Sequence, residues 1–308
     1  MALDRYLHEL ADPTKPISGS ALTRLSDLET SEVASLRDGW LSIPLPRRRE
    51  IVRKSVELAE DSFEVDFEAL FQLALDDEDA DIRLGALDGL WESQRASLVP
   101  VIVRLFESDP EERVRAAAAQ ALGRFILLAE SDKLPQRSAG RAEAALLAAL
   151  DARDTPLLVR RRALEAIAPR NHPSIPARIE AAYHSKEPQE QLSAIFAMGR
   201  SGDPRWLPAL LEELSDEDAE RRYEAAVACG EIEDARAVPA LRRALADEDR
   251  EVQLAAVAAL GHIGGLDARQ ALAALTQRGD EQLQEAAQEA LEEMSVSEDP
   301  FTYGISPS

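Results

Sequence analysis

One ten-residue arrangement of apolar and polar positions recurs along the chain. It reads VRKSVELAED at 52–61, IRLGALDGLW at 82–91, VRAAAAQALG at 114–123 and VRRRALEAIA at 159–168. It continues as EQLSAIFAMG at 190–199, RRYEAAVACG at 221–230, VQLAAVAALG at 252–261 and LQEAAQEALE at 283–292. Successive starts lie 30, 32, 45, 31, 31, 31 and 31 residues apart. Positions one, five and eight of the pattern fall on one helical stripe, so each copy predicts an amphipathic helix. Helical patterning inside so short a period predicts stacked helix pairs, because one pair cannot bury its apolar face alone. The expected fold class is all-α, an α-solenoid (superhelix) of about eight stacked helix pairs.

The eighth position is always small: Ala59, Gly89, Ala121, Ala166, Ala197, Ala228, Ala259 and Ala290. A small side chain there lets neighbouring backbones approach, where a larger one would overpack the layer. Gly123, Gly199, Gly230 and Gly261 follow two places later, near the predicted helix ends, and read as preparation for a turn. A first helix precedes each pattern, as in PVIVRLFES at 100–108, PALLEELS at 208–215 and PALRRALAD at 239–247. Pro100, Pro176, Pro208 and Pro239 suit first helical turns, where an N–H would go unpaired anyway.

An Asp stands six residues before an Arg in Asp77/Arg83, Asp109/Arg115, Asp154/Arg160 and Asp216/Arg222. The Asp is expected to cap the second helix. The Arg is expected to reach an Asp of the adjacent layer through a forked contact. Recurrence in register assigns this series to architecture, a structural ladder rather than a catalytic set.

The short unit, the Asp-to-Arg spacing and the VRxxAxxALG core resemble bacterial HEAT repeats of the phycobilisome-lyase type, across residues 40–292. That resemblance implies a HEAT solenoid. For function, the intact repeats and the missing catalytic sets point to a non-catalytic scaffold or adaptor holding a protein or peptide in the concave groove. The alternative the resemblance implies is a bilin-handling lyase or chaperone subunit that binds a linear tetrapyrrole, with Arg124, Arg161, Arg162 or Arg200 on propionates. Phe196 and Tyr223 would then lie against the rings.

Breaks in the repetition suggest the domain limits. Residues 1–51, with Pro13, Pro16, Pro44 and Pro46 among short helical stretches, read as an irregular helical cap. The repeats run from 52 to 294, with an elongated connection at 124–141 where the step lengthens to 45. That insertion is either part of a binding face or a neutral indel. The last repeat has a polar outer face, and residues 295–308 read as a mobile tail. On a regular solenoid the second helices line the concave side. Pattern positions off the small-residue stripe then face the groove: Gln120, Arg124, Arg161, Arg162, Glu165, Phe196, Arg200, Tyr223 and Glu224. Such a basic and aromatic island would suit a carboxylate-bearing partner, unless its arginines pair with nearby acids. Trp40, Trp91 and Trp206 are expected to pack at layer edges, a binding anchor being the alternative.

Charge narrows the partner. The formal net charge is −23, with 58 acids against 35 bases, the wrong sign for a binder of phosphate backbones. Residues 55–82 alone hold eleven acids and neither Lys nor Arg. The excess either keeps an elongated surface soluble or attracts a basic partner. One cysteine, Cys229, rules out an intrachain disulfide, and the four histidines form no metal-ligand spacing. The sole His-Glu dipeptide is His8-Glu9, too few for a HEAT-repeat iron hydroxylase. No phosphate loop or nucleophile elbow is present. The expectation is a cytoplasmic monomer without cofactor, metal, catalytic residues or membrane insertion.

Overall fold

The computed structural model describes residues 2–62, 64–278 and 280–298. Among them are eighteen α-helices and no β-strand, in two compact units, Met1–Ala166 and Ile167–Ser308. The first unit holds α1 (Ala2–Ala11), α2 (Gly19–Leu22), α3 (Thr30–Trp40), α4 (Leu45–Asp61), α5 (Glu68–Ala74) and α6 (Ala80–Gly89). It continues with α7 (Val99–Ser108), α8 (Glu112–Glu130), α9 (Gln136–Asp151) and α10 (Leu157–Ile167). The second holds α11 (Ile175–Tyr183), α12 (Pro188–Arg200), α13 (Leu207–Glu213) and α14 (Ala219–Ile232). It ends with α15 (Val238–Ala244), α16 (Arg250–Ile263), α17 (Gly265–Arg278) and α18 (Glu281–Glu298).

Each unit is a stack of helix pairs, which makes the fold an all-α solenoid. The eight sequence patterns fall on α4, α6, α8, α10, α12, α14, α16 and α18, the second helix of each pair. Position five is buried in every copy, from Val56 and Ala86 through Ala225 and Ala287. Position nine joins it in several copies, as the buried Leu122, Met198, Cys229 and Leu260. Removing such apolar surface from water, at about 25 cal/mol per Å², is what holds each thin layer together. Pro100, Pro176, Pro208 and Pro239 sit in the first turns of α7, α11, α13 and α15.

Buried ion pairs join successive layers. Arg83 forks onto Asp109, Nε to Oδ2 at 2.7 Å and Nη2 to Oδ1 at 2.8 Å, while its Nη1 donates to the Asp77 carbonyl at 2.8 Å. Arg222 repeats the geometry on Asp247 and on the Asp216 carbonyl. Where the base is lost, Gln253 still donates Nε2 to the Asp247 carbonyl at 2.6 Å, which keeps only the contact within its own repeat. Asp77 in turn accepts from Arg48 and from Trp40 Nε1, which ties α3 and α4 to the following layer. The rung from Arg115 to Asp154 is not made. Arg115 Nε is buried without a partner, and both residues line a cavity of about 280 Å³. Arg160 is half-buried on α10.

Several expectations need correcting. The ladder aspartates do not cap the second helices. Asp77, Asp109, Asp216 and Asp247 each accept the N–H two residues on, closing the turn before the helix. The caps themselves are Asp79 on α6, Asp218 on α14 and Asp249 on α16. At Asp109 and Asp247 the same carboxylate also holds the forked Arg. The elongated connection shrinks to residues 131–135, because the extra residues lengthen α8 to 19 residues and α9 to 16. The limit expected after residue 51 falls inside α4, and α18 carries Ser295 through Glu298 as helix. The rest of the expected tail, 299–308, lies outside the described residues.

A candidate binding cleft on the second helices

The pattern glycines do not turn the chain. Gly123, Gly199, Gly230 and Gly261 lie within helices, each against the position-eight alanine of the next second helix. A Cβ on Gly199 would stand 2.6 Å from the Ala228 Cα, and one on Gly230 would stand 2.8 Å from the Ala259 Cα. The same contact joins Gly123 to Ala166 and Gly261 to Ala290, at 3.1 Å from the nearest alanine atom. Backbone therefore meets backbone between consecutive second helices. This is the close approach that only glycine opposite alanine permits.

The first unit breaks the series. At the glycine position the second repeat carries Trp91, just past the end of α6 and opposite Ala121 of α8. An indole cannot enter a contact built for a hydrogen atom, and a cleft of about 980 Å³ separates α6 from α8 there. Leu84, Leu87, Ala117 and Ala121 give it an apolar floor, with Asp88, Glu92 and Gln120 at the rim. A smaller cleft of about 430 Å³ between α4 and α6 shares Gly85 and Asp88 with it, so the two make one groove across three second helices.

Two side chains set its chemistry. Trp91 is 58% exposed, an indole at the surface rather than packed at a layer edge. Arg124 lines the cleft but is turned inward, its guanidinium carbon 4.9 Å from the Phe125 ring centre and its Nη1 donating to the Trp91 carbonyl. Its Nε and Nη2 are buried without partners. Burial lowers its pKa from the ordinary arginine value. Apart from Arg124, the charged groups lining the cleft are the exposed carboxylates of Asp88 and Glu92.

The remaining candidate residues divide between the units. In the first, Gln120 is exposed beside Arg124, whereas Arg161, Arg162 and Glu165 lie half-buried on α10. Arg162 pairs with Glu165, Nη1 to Oε2 at 2.6 Å. In the second unit Arg200 pairs with Glu231 at 3.0 Å. Phe196 and Glu224 are half-buried there, and Tyr223 is exposed. Arg162 and Arg200 thus already hold carboxylates of the chain itself. Trp40 is buried on Asp77, and Trp206 is half-buried. The periodicity did not single out Asp88, Glu92, Leu84 or Leu87. The available signal was the Trp in the glycine column.

Two further groups that resemble chemistry are structural. Glu213 is buried and fully engaged: Arg221 donates Nε and Nη2 to its two oxygens at 2.7 Å, and the Tyr183 hydroxyl donates at 2.5 Å. Burial, then the Glu213 bond, pushes Tyr183 up to about 12. Burial likewise pushes the Cys229 thiol up to about 12, which removes the reactive thiolate. Iodoacetamide at about pH 8 is expected to leave Cys229 unmodified in the folded chain and to alkylate it after denaturation. Full alkylation of the folded chain would contradict this. Among the described residues no group of three His, Cys, Asp or Glu could hold a metal ion, and no helix is long and apolar enough to cross a membrane.

A family model for HEAT repeats matches residues 67–140 and 207–292, together just over half of the chain. A second, for the PBS lyase HEAT-like repeat, matches residues 190–216. An uncharacterized phycocyanin operon protein Z of Pseudanabaena tenuis is 27% identical over 146 residues, 47% of this chain and 69% of that protein. Among solved structures, a chain of the CpcE–CpcF complex of phycocyanin lyase from Nostoc sp. PCC7120 shares 18% identity at a TM-score of 0.48. That match covers 74% of this chain and 93% of the other. Human deoxyhypusine hydroxylase shares 21% identity at a TM-score of 0.37, over 96% of both chains.

Proposed function

We propose that this chain, which belongs to the HEAT-repeat family, is a binding subunit of the phycobilisome-lyase type that holds another protein on the second helices of its first unit. The observation that carries the reading is the α6–α8 cleft, where an apolar floor meets an indole 58% exposed to solvent. Exposed tryptophans at the centre of such hollows dominate binding energy when a partner covers them. The lyase-type repeat at 190–216 and the relationship to a phycocyanin operon protein support the type of subunit. Its task is to bind rather than to catalyse. Proteins captured on the immobilised chain from a native lysate are expected to be lost with Trp91→Ala, while circular dichroism and melting stay unchanged. Equal recovery on the variant would reject the cleft as the binding surface.

A second reading, that the chain handles a linear tetrapyrrole, is favoured by the same lyase-type repeat. Mixing the chain with free bilin is then expected to shift the visible spectrum and to bring pigment through gel filtration with the protein. An unchanged spectrum and separate elution would remove pigment binding and leave protein binding intact.

A further inference from the structure

We infer that the groove across α4, α6 and α8 takes a basic segment of the partner protein, with a lysine or arginine side chain seated against Trp91 between Asp88 and Glu92. The inference rests on the reading of the cleft as the docking surface and adds the chemistry of its occupant.

The first argument is the balance of engaged and open charges along the groove. Two of the three arginines that line it hold carboxylates of the chain itself, and the third is half-buried. Arg49 donates Nε and Nη2 to Asp79 at 2.9 and 2.5 Å, Arg53 bonds Glu57, and Arg124 is turned inward. Asp88 and Glu92 are exposed and have no hydrogen-bond or ion-pair partner for their carboxylates among the described residues. Glu60 stands open in the same way at the α4 end. The accessible field is therefore negative, inside a chain whose net charge of −23 steers cations towards it.

The second argument is placement. Asp88, in the last turn of α6, and Trp91 and Glu92, in the turn that follows, all line the same cleft, so both carboxylates stand at the opening that holds the indole. A cation over an indole face gains further from the ring's quadrupole. The floor of Val52, Val56, Leu84 and Leu87 suits apolar residues that alternate with the basic ones. Three second helices at ordinary packing distance span about 20 Å, room for about six extended residues.

Fluorescence polarisation with two labelled hexapeptides tests the inference on the full chain. One alternates arginine with leucine, and the other alternates glutamate with leucine. The arginine peptide is expected to bind, and the glutamate peptide is not. Trp91→Ala and the double variant Asp88→Asn/Glu92→Gln are each expected to weaken it about tenfold. Binding should fade as salt shortens the Debye length to about 3 Å. Glu281→Gln/Glu289→Gln removes the same charge from α18 and is expected to leave affinity unchanged. An equal loss with that control would reduce the attraction to diffuse charge and overturn the inference. Preference for the glutamate peptide would overturn it in favour of Arg124 as the receptor of a carboxylate. If a captured partner needs Trp91 but tolerates the Asp88/Glu92 change, the cleft stands as the docking surface and the basic occupant falls.

Discussion

Replacing Asp109 with alanine is expected to lower the unfolding free energy by about 3–5 kcal/mol, the range for removing one member of a buried ion pair. Asp109 is 7% exposed and Arg83 is 6% exposed, so the substitution leaves a guanidinium in the interior with its fork empty. It also frees the Glu111 N–H that Asp109 accepts. The exposed pair Arg5–Glu9 is the contrast, since breaking it should cost under about 1 kcal/mol. Urea unfolding of both variants checks the prediction, and equal losses would mean that the layer junction is wet. Arg83→Met with Asp109→Leu should recover most of the deficit, because no charge then stays buried. The sister rung responds to acid. The Arg222 bond holds the Asp247 carboxyl below the usual carboxylate range. As pH falls the unfolded chain binds that proton first. The rung's contribution is thus complete above about pH 4 and is lost as pH drops through the lower folded value.

Gly199→Ala is expected to destabilise by about 1–3 kcal/mol, against the usual sign of such a change in a helix. Helix propensity alone would favour alanine by about 1 kcal/mol. The new methyl, however, would stand 2.6 Å from the Ala228 Cα and 2.8 Å from its Cβ. Backbone cannot rotate away as a flexible side chain can, so overpacking wins. Gly140→Ala supplies the opposite sign in the same molecule. Gly140 lies inside α9 with nothing within 4 Å of its Cβ position, and alanine there should stabilise by about 0.5–1 kcal/mol. If thermal melting showed gains for both, α12 and α14 would have to lie farther apart than the glycine contact requires.

The repeat was legible because its signal is redundant. Eight copies of one apolar stripe average out local exceptions such as Glu190 and Arg221, polar residues at a position where other copies carry Val, Ile or Leu. Single residues lacked that averaging. A glycine near a helix end matches a turn and a close helix contact equally well in a sequence, and only the position of Ala228 or Ala259 separates the two. The ladder aspartates were misassigned for a similar reason. Asp77 and Asp79 both precede α6, and which of them caps depends on whether Arg48 and Trp40 reach the first. The groove residues were chosen by register alone, and register says nothing about pairing. Arg162 and Arg200 prove to hold Glu165 and Glu231. Trp91, by contrast, broke a column that the sequence displays openly. Its meaning emerged once that column was known to be a contact.

The interlayer contacts also bear on how the chain acquires its structure. Arg83 meets Asp109 across 26 positions, and Arg222 meets Asp247 across 25. No such link waits for a distant segment of polypeptide to arrive. Contact order is correspondingly low, and chains of that kind fold fast because little loop entropy is lost before contacts reward it. On the ribosome, where the N-terminus emerges first, each helix pair would find its predecessor already present as a template. Assembly then proceeds by addition at a growing edge. That lets repeats be gained or lost in evolution without redesign of the layers already laid down.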